Sequence, residues 1–113
     1  MSKDCLFCRI AKGEIPADIV MQNDDAVAFR DISPKAPSHI LVITRKHVGS
    51  LDAADESIDL GALMRTAAEA ARKEGLAEPG YRIVINTGPD AGQTVDHLHL
   101  HILGGREMKW PPG

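Results

Sequence analysis

A chain of 113 residues that is 43% hydrophobic and 26% charged can bury one core but not two independent ones, so a single globular domain over residues 1–113 is expected. Its formal net charge of −3, with no Lys/Arg-rich run, excludes the electrostatic footprint of a nucleic-acid binder while leaving room for a mononucleotide. No apolar run reaches the roughly eighteen residues of a membrane span, and Met1-Ser2-Lys3-Asp4 leads straight into a polar segment with no signal-peptide core, so the expected location is the cytoplasm, with Cys5 and Cys8 as reduced thiols.

In chain order, segment 5–13 (CLFCRIAKG) carries Leu6, Phe7 and Ile10 at near-helical spacing and closes on Gly13, which predicts a short helix. IVMQ at 19–22 and AVAFRDI at 26–32 read as strands on either side of the turn cluster Asn23-Asp24-Asp25. After the rigid loop SPKAP at 33–37, SHILVIT at 38–44 is a third strand, with His39, Leu41 and Ile43 on one face and Ile40 and Val42 on the other. Residues 55–75 form the one long helix, its apolar stripe running through Ile58, Leu60, Leu63, Met64, Ala67, Ala70 and Ala71 to a stop at Gly75. YRIVINTG at 81–88 is a fourth strand that enters the loop TGPDAGQT.

DHLHLHILGG at 96–105 is the fifth strand. Strict alternation puts His97, His99 and His101 on one face, roughly 6 to 7 Å apart, with Leu98, Leu100 and Ile102 on the other. Tight turns between strands favour an antiparallel sheet with the long helix packed on one face, an α+β domain. Three imidazoles converging on one ligand suit nucleophilic chemistry near pH 7, since imidazole both attacks and leaves there.

Cys5-x-x-Cys8 is a half-site for zinc, and a closed site wants four ligands. Two other readings of the cysteine pair stand beside this one. They are plain packed thiols or a redox pair, the latter weakened because no strand precedes the C-x-x-C.

His-Leu-His-Leu-His-Ile-Leu at 97–103 resembles the signature of the histidine triad (HIT) family. DISPKAPSHILVI at 31–43, VINTG at 84–88, AGQT at 91–94 and the terminal GGREMKWPPG at 104–113 resemble its HINT-like branch, of the purine nucleoside phosphoramidase type. The resemblance implies a HIT-like fold of about five antiparallel strands with one long and one short helix. It also implies a hydrolase that cleaves P–N or related bonds of purine nucleoside 5′-monophosphate derivatives through a nucleotidyl-histidine intermediate.

By that resemblance His99 is the nucleophile. His101, Asn86, Gln93, Thr94 and the amides around Gly92 surround the phosphate, and either Thr94 or His101 protonates the leaving group. His39 joins a relay through His97 to the nucleophile. Asp31 binds the ribose hydroxyls, and Phe7, Ile10, Phe29 and Ile32, with Leu6, form the slot for the base. Cys5, Cys8, His47 and His97 match the zinc set of some prokaryotic relatives, and a zinc-bound His97 is structural instead of a relay. Trp110 reaches across the two-fold axis of a homodimer. Two alternatives stand beside this activity: a dinucleoside polyphosphate hydrolase or nucleotidyl transferase, and a zinc-dependent nucleotide-binding interaction module without turnover.

Overall fold

In the computed structural model, which describes residues 5–113, the chain forms α1 (Leu6–Ala11), β1 (Ile19–Gln22), β2 (Ala26–Arg30), β3 (Ser38–Thr44), α2 (Leu60–Lys73), β4 (Tyr81–Val84) and β5 (His99–Gly104). The five strands make one sheet in the order β1-β2-β3-β5-β4, and every neighbouring pair is antiparallel. β3 and β4 therefore run parallel, with the histidine strand inserted between them and α2 as the crossover. This is the expected α+β architecture.

The β1–β2 turn shows how local chemistry fixes packing. Asn23 Oδ1 accepts from the amides of Asp25 and Ala26 at 2.9 and 3.0 Å, and its Nδ2 donates to Thr66 Oγ1 on α2 at 2.9 Å. One side chain thus closes the hairpin and ties it to the helix. On the α2 face the core is Ala26, Ala28, Ile40, Val42, Leu100 and Ile102, packed against Leu63, Ala67, Ala70 and Ala71. The small residues on both elements let the helix approach the sheet closely. Truncating Ile40 or Ile102, both fully buried, would cost about 2–5 kcal/mol.

The opposite face carries Val27, Phe29, Leu41 and Ile43 under Phe7 of α1. His39, Leu41 and Ile43 share this side and Ile40 and Val42 the other, as the alternation in SHILVIT predicts.

Element ends differ from expectation for identifiable reasons. α2 starts at Leu60 and not near 55, because Asp55 Oδ1 accepts from the Ser57 amide at 2.8 Å in a turn of its own, while Asp59 caps the helix by accepting from Ala62 at 2.9 Å. It stops at Gly75, where φ is +75° and the amides of Gly75 and Leu76 donate back to Arg72 and Ala71. β2 ends at Arg30, leaving Asp31 and Ile32 in a loop, and β4 ends at Val84, leaving Asn86 outside the sheet. β5 begins only at His99, so His97 lies before the ladder. At its other end Gly105 has φ +89°, and a Cβ there would stand 2.8 Å from Pro37 Cβ, so the turn out of the strand requires glycine.

Candidate active site and metal centre

Antiparallel register assembles the histidines. Ile43 pairs with His99, Leu41 with His101 and His39 with Leu103, which sets His39 diagonally beside His101. His39 Nε2 lies 3.0 Å from His101 Nδ1, and the rings of His99 and His101 are 5.0 Å apart, closer than strand spacing alone suggests. His97 instead turns its ring away, toward the two cysteines.

Backbone partners fix the protonation of each ring. His99 Nδ1 lies 2.7 Å from the His97 carbonyl, which can only accept, so Nδ1 carries the proton and Nε2 keeps a lone pair. The Lys35 amide donates to His39 Nδ1 at 3.0 Å, so the His39 proton is on Nε2. It points at His101 Nδ1, which must accept, leaving the His101 proton on Nε2. The relay expected from His39 through His97 is therefore corrected: His39 acts on His101. The register decides this, since His97 lies two residues beyond the end of the ladder, beside Thr44.

Burial pulls the His101 pKa down to about 4, helped by the neighbouring His99 and His39 rings. Burial likewise lowers His39, opposed by the Asp31 carboxylate 3.5 Å away. His101 is thus a neutral donor at pH 7. Below the ordinary imidazole value near 6.5 the unfolded chain takes up a proton at His101 that the folded protein refuses until about 4, so stability falls as pH drops through that window. Melting temperature measured from pH 7 to 4.5 should fall, and His101→Gln should flatten the slope; an unchanged slope would put this titration elsewhere.

Two cavities meet at these histidines. An apolar one of about 320 Å³ is lined by Leu6, Phe7, Ile10, Phe29, Ile32 and Leu41, together with the segment Ile15–Asp18. A polar one of about 390 Å³ is lined by Lys35, His39, Asn86 and Gly92 among others. Asp31, Thr94, His99 and His101 belong to both walls. Of the expected slot residues, Ile32 is fully exposed and borders the cavity as a rim.

Gln93 has a different place from the one expected. Its Oε1 accepts from the Gly88 amide at 2.9 Å and its Nε2 donates to the carbonyls of Gly49 and Val95 at 2.8 and 2.9 Å. The amides of Gly92 and Gln93 donate to Pro89 and Gly88 at 3.1 Å. The Gln93 side chain and these two amides build the loop that presents Thr94, while Gly92 itself lines the polar cavity. Trp110 lines neither cavity; it is 80% exposed, with the Arg82 guanidinium 5.8 Å from its ring centre.

Cys5, Cys8, His47 and His97 converge at one point, each offering a ligand atom within 4.8 Å of the others. His97 is fully buried, and its Nε2 lies 2.7 Å from the Thr44 carbonyl, so that nitrogen holds the proton and Nδ1 presents a lone pair to the cluster. His97 Nδ1 is 3.3 Å from His47 Nδ1, 3.2 Å from Cys5 Sγ and 3.5 Å from Cys8 Sγ, and Cys8 Sγ is 3.2 Å from His47 Nδ1. A tetrahedral zinc site has edges of about 3.3 Å between nitrogens and about 3.6 Å between nitrogen and sulfur. The donor set fits such an ion. Burial pushes the Cys8 thiol up to about 11, reinforced by Cys5.

Asp31, His39 and His101 also cluster, but their hydrogen bonds favour a proton path over a metal. Deprotonating His39 Nε2 for a metal would move its proton to Nδ1, against the Lys35 N–H. Lys35 and Thr44, which set these protonation states through backbone groups, were not singled out from the sequence. The only hint for Lys35 was its place in the rigid SPKAP loop just before His39. The segment Ile15–Asp18 gave no signal, since it belongs to no periodic element.

The HIT domain family model matches residues 12–108. An uncharacterized HIT-like protein of Synechococcus elongatus is 53% identical over the whole of both chains. The 14 kDa zinc-binding protein of Brassica juncea is 47% identical over 97% of this chain and 100% of its own. Among solved structures, a HIT family hydrolase from Legionella pneumophila Philadelphia 1 superposes with a TM-score of 0.92 at 47% identity, covering 97% of this chain and 100% of that one. A histidine triad protein from Clostridium difficile gives 0.89 at 40% identity over 94% of each.

Proposed function

Given that the chain belongs to the HIT domain family, we propose that it is a nucleotide hydrolase that cleaves P–N or related bonds of nucleoside 5′-monophosphate derivatives, with purines preferred. The observation that carries this reading is the free lone pair of His99 Nε2 where the apolar and polar cavities meet. The hydrolase from Legionella pneumophila, similar over nearly the whole chain, supports it at the level of reaction class.

His99 Nε2 attacks the α-phosphorus, the P–N bond breaks, and a nucleotidyl-histidine forms. Water then attacks phosphorus, the P–Nε2 bond breaks, and the nucleoside monophosphate leaves. His101 Nε2–H and the Asn86 amide, both on the polar wall, donate to the non-bridging oxygens where charge builds up. Both candidates for leaving-group protonation can act as relays: His101 gives its Nε2 proton while Nδ1 takes one from His39 Nε2, and the exposed Thr94 hydroxyl passes a solvent proton on while taking another.

The apolar wall offers a base area more than hydrogen bonds, so the larger purine ring gains more there. Zinc on Cys5, Cys8, His47 and His97 supplies a closed structural crosslink. The proposal includes a homodimer in the cytoplasm, with Trp110 serving the partner's leaving-group side. Incubation with adenosine 5′-phosphoramidate tests the activity: release of AMP and ammonia is expected, and tight AMP binding with no turnover would favour the binding module.

Asp31 lines both cavities, and its Oδ1 accepts from the Ser33 amide at 2.8 Å, which aims the carboxylate. Asp31→Asn keeps that bond but exchanges an acceptor-only group for one that also donates. Ribonucleotide affinity is expected to fall about 10- to 100-fold, with a smaller loss for the 2′-deoxyribonucleotide. Calorimetric titration of AMP and dAMP checks it, and equal losses would remove Asp31 from the ribose site.

A further inference from the structure

Phe7 stands between two metal-site cysteines in sequence and between the metal site and the apolar cavity in space. It is 5% exposed, and its ring meets His99 edge-on at 5.1 Å, His97 at 5.9 Å and Phe29 at 5.8 Å. It belongs to the lining of the apolar cavity. Its helix has six residues, too few to hold a helical shape without tertiary anchors. Beside the packing of Phe7 on Val27, Phe29, Leu41 and Ile43 and the bond from Arg45 to the Ala11 carbonyl, that helix is anchored by the sulfurs of Cys5 and Cys8, on either side of Phe7, both turned to the histidine cluster. On the other side of the cluster, His97 offers its side chain to the metal site while its carbonyl holds Nδ1 of the nucleophile at 2.7 Å.

We propose that Phe7 is a positioning residue that couples the metal centre to the nucleotide cavity, so that zinc and a nucleoside monophosphate bind with positive cooperativity. Zinc joining Cys5 and Cys8 to His47 and His97 fixes the short helix against the sheet. That sets the Phe7 ring as the wall of the base cavity and against His99. Without the ion the cysteines keep only weak sulfur–imidazole contacts, so the helix rests on the packing of Phe7 and on the Arg45 bond to the Ala11 carbonyl, and part of the nucleotide's binding free energy goes into ordering it. Linkage makes the effect reciprocal: a bound base that packs on Phe7 holds Cys5 and Cys8 in place and tightens zinc.

The proposal rests on the nucleotide reading above, and its test separates the two. Equilibrium competition between full-length zinc-loaded protein and a chromogenic chelator gives the zinc affinity with and without saturating AMP. AMP is expected to raise that affinity about fivefold or more, and metal-stripped protein to bind AMP more weakly by the same factor. Phe7→Leu should still take up one zinc per chain but show coupling below about twofold, and Phe7→Tyr, which keeps the ring, should restore it.

Phe29→Leu lines the same cavity without flanking the metal ligands. It should weaken AMP yet leave the effect of saturating AMP on zinc intact. AMP that binds the wild type without changing zinc affinity overturns the coupling and leaves the proposed hydrolase standing. Full coupling in Phe7→Leu, or loss of it in Phe29→Leu, overturns the role of Phe7. Wild-type protein that takes up no zinc overturns the proposal, and failure of AMP to bind at all overturns the nucleotide reading with it.

Discussion

His99→Ala is expected to lower turnover of adenosine 5′-phosphoramidate by at least about 1,000-fold while AMP still binds within about tenfold of wild-type affinity. The separation follows from the geometry. His99 contributes the attacking lone pair, whereas the base wall of Phe7, Phe29 and Ile10 and the Asp31 carboxylate stand on other elements and remain. His99→Gln, closer in volume, should lose turnover to the same degree without the gap left under Phe7. Single-turnover assays and calorimetry on both variants give the answer. Turnover within tenfold of wild type would remove His99 from the nucleophile's place, and loss of AMP binding in both variants would make it a binding residue.

Removing the metal centre should act mainly on stability. Purified wild-type protein is expected to carry about one zinc per chain by elemental analysis, and Cys8→Ser close to none. A ligand present at 1,000 times its dissociation constant stabilises the native state by about 4 kcal/mol. In a domain near 100 residues each kcal/mol moves melting by roughly 4–8 °C. Cys8→Ser should therefore melt at least about 15 °C lower. Well below melting its kcat should change less than about threefold, because a closed tetrahedral site offers no position to substrate. KM should rise, since Phe7 loses its anchor. Wild-type protein that is purified without zinc, or whose melting temperature does not change when the metal is stripped, would return the cysteines to packed thiols.

How much of this was legible beforehand depends on the range over which each feature is decided. Five strands and two helices were readable because alternation and turn chemistry are local. Asn23 closes its hairpin with its own side chain, and SHILVIT carries both faces of the central strand in its spelling. The element ends were less legible. Asp55 and Asp59 are both competent helix caps, and only the hydrogen bonds made by each show that Asp55 folds a turn while Asp59 starts the helix. The four cysteine and histidine positions of the metal centre were named from resemblance, and the fold brings them together across up to 92 residues of chain.

The fold class, the shared face of His99 and His101, and the residue types that a phosphorus-directed nucleophile and a tetrahedral metal require are all legible in the order of residues. These follow from side-chain periodicity and from the chemistry of imidazole and thiol, which belong to the residues whatever surrounds them. Which histidine serves which partner depends instead on contacts made across the fold. The proton positions on His39, His97, His99 and His101 depend on the Lys35 amide, the Thr44 and His97 carbonyls and the cross-strand register. Backbone groups of this kind are present at every residue and carry no mark in the sequence. Gln93 shows the same limit: its residue type fits a phosphate, but the three hydrogen bonds its side chain makes in the loop had first claim on it.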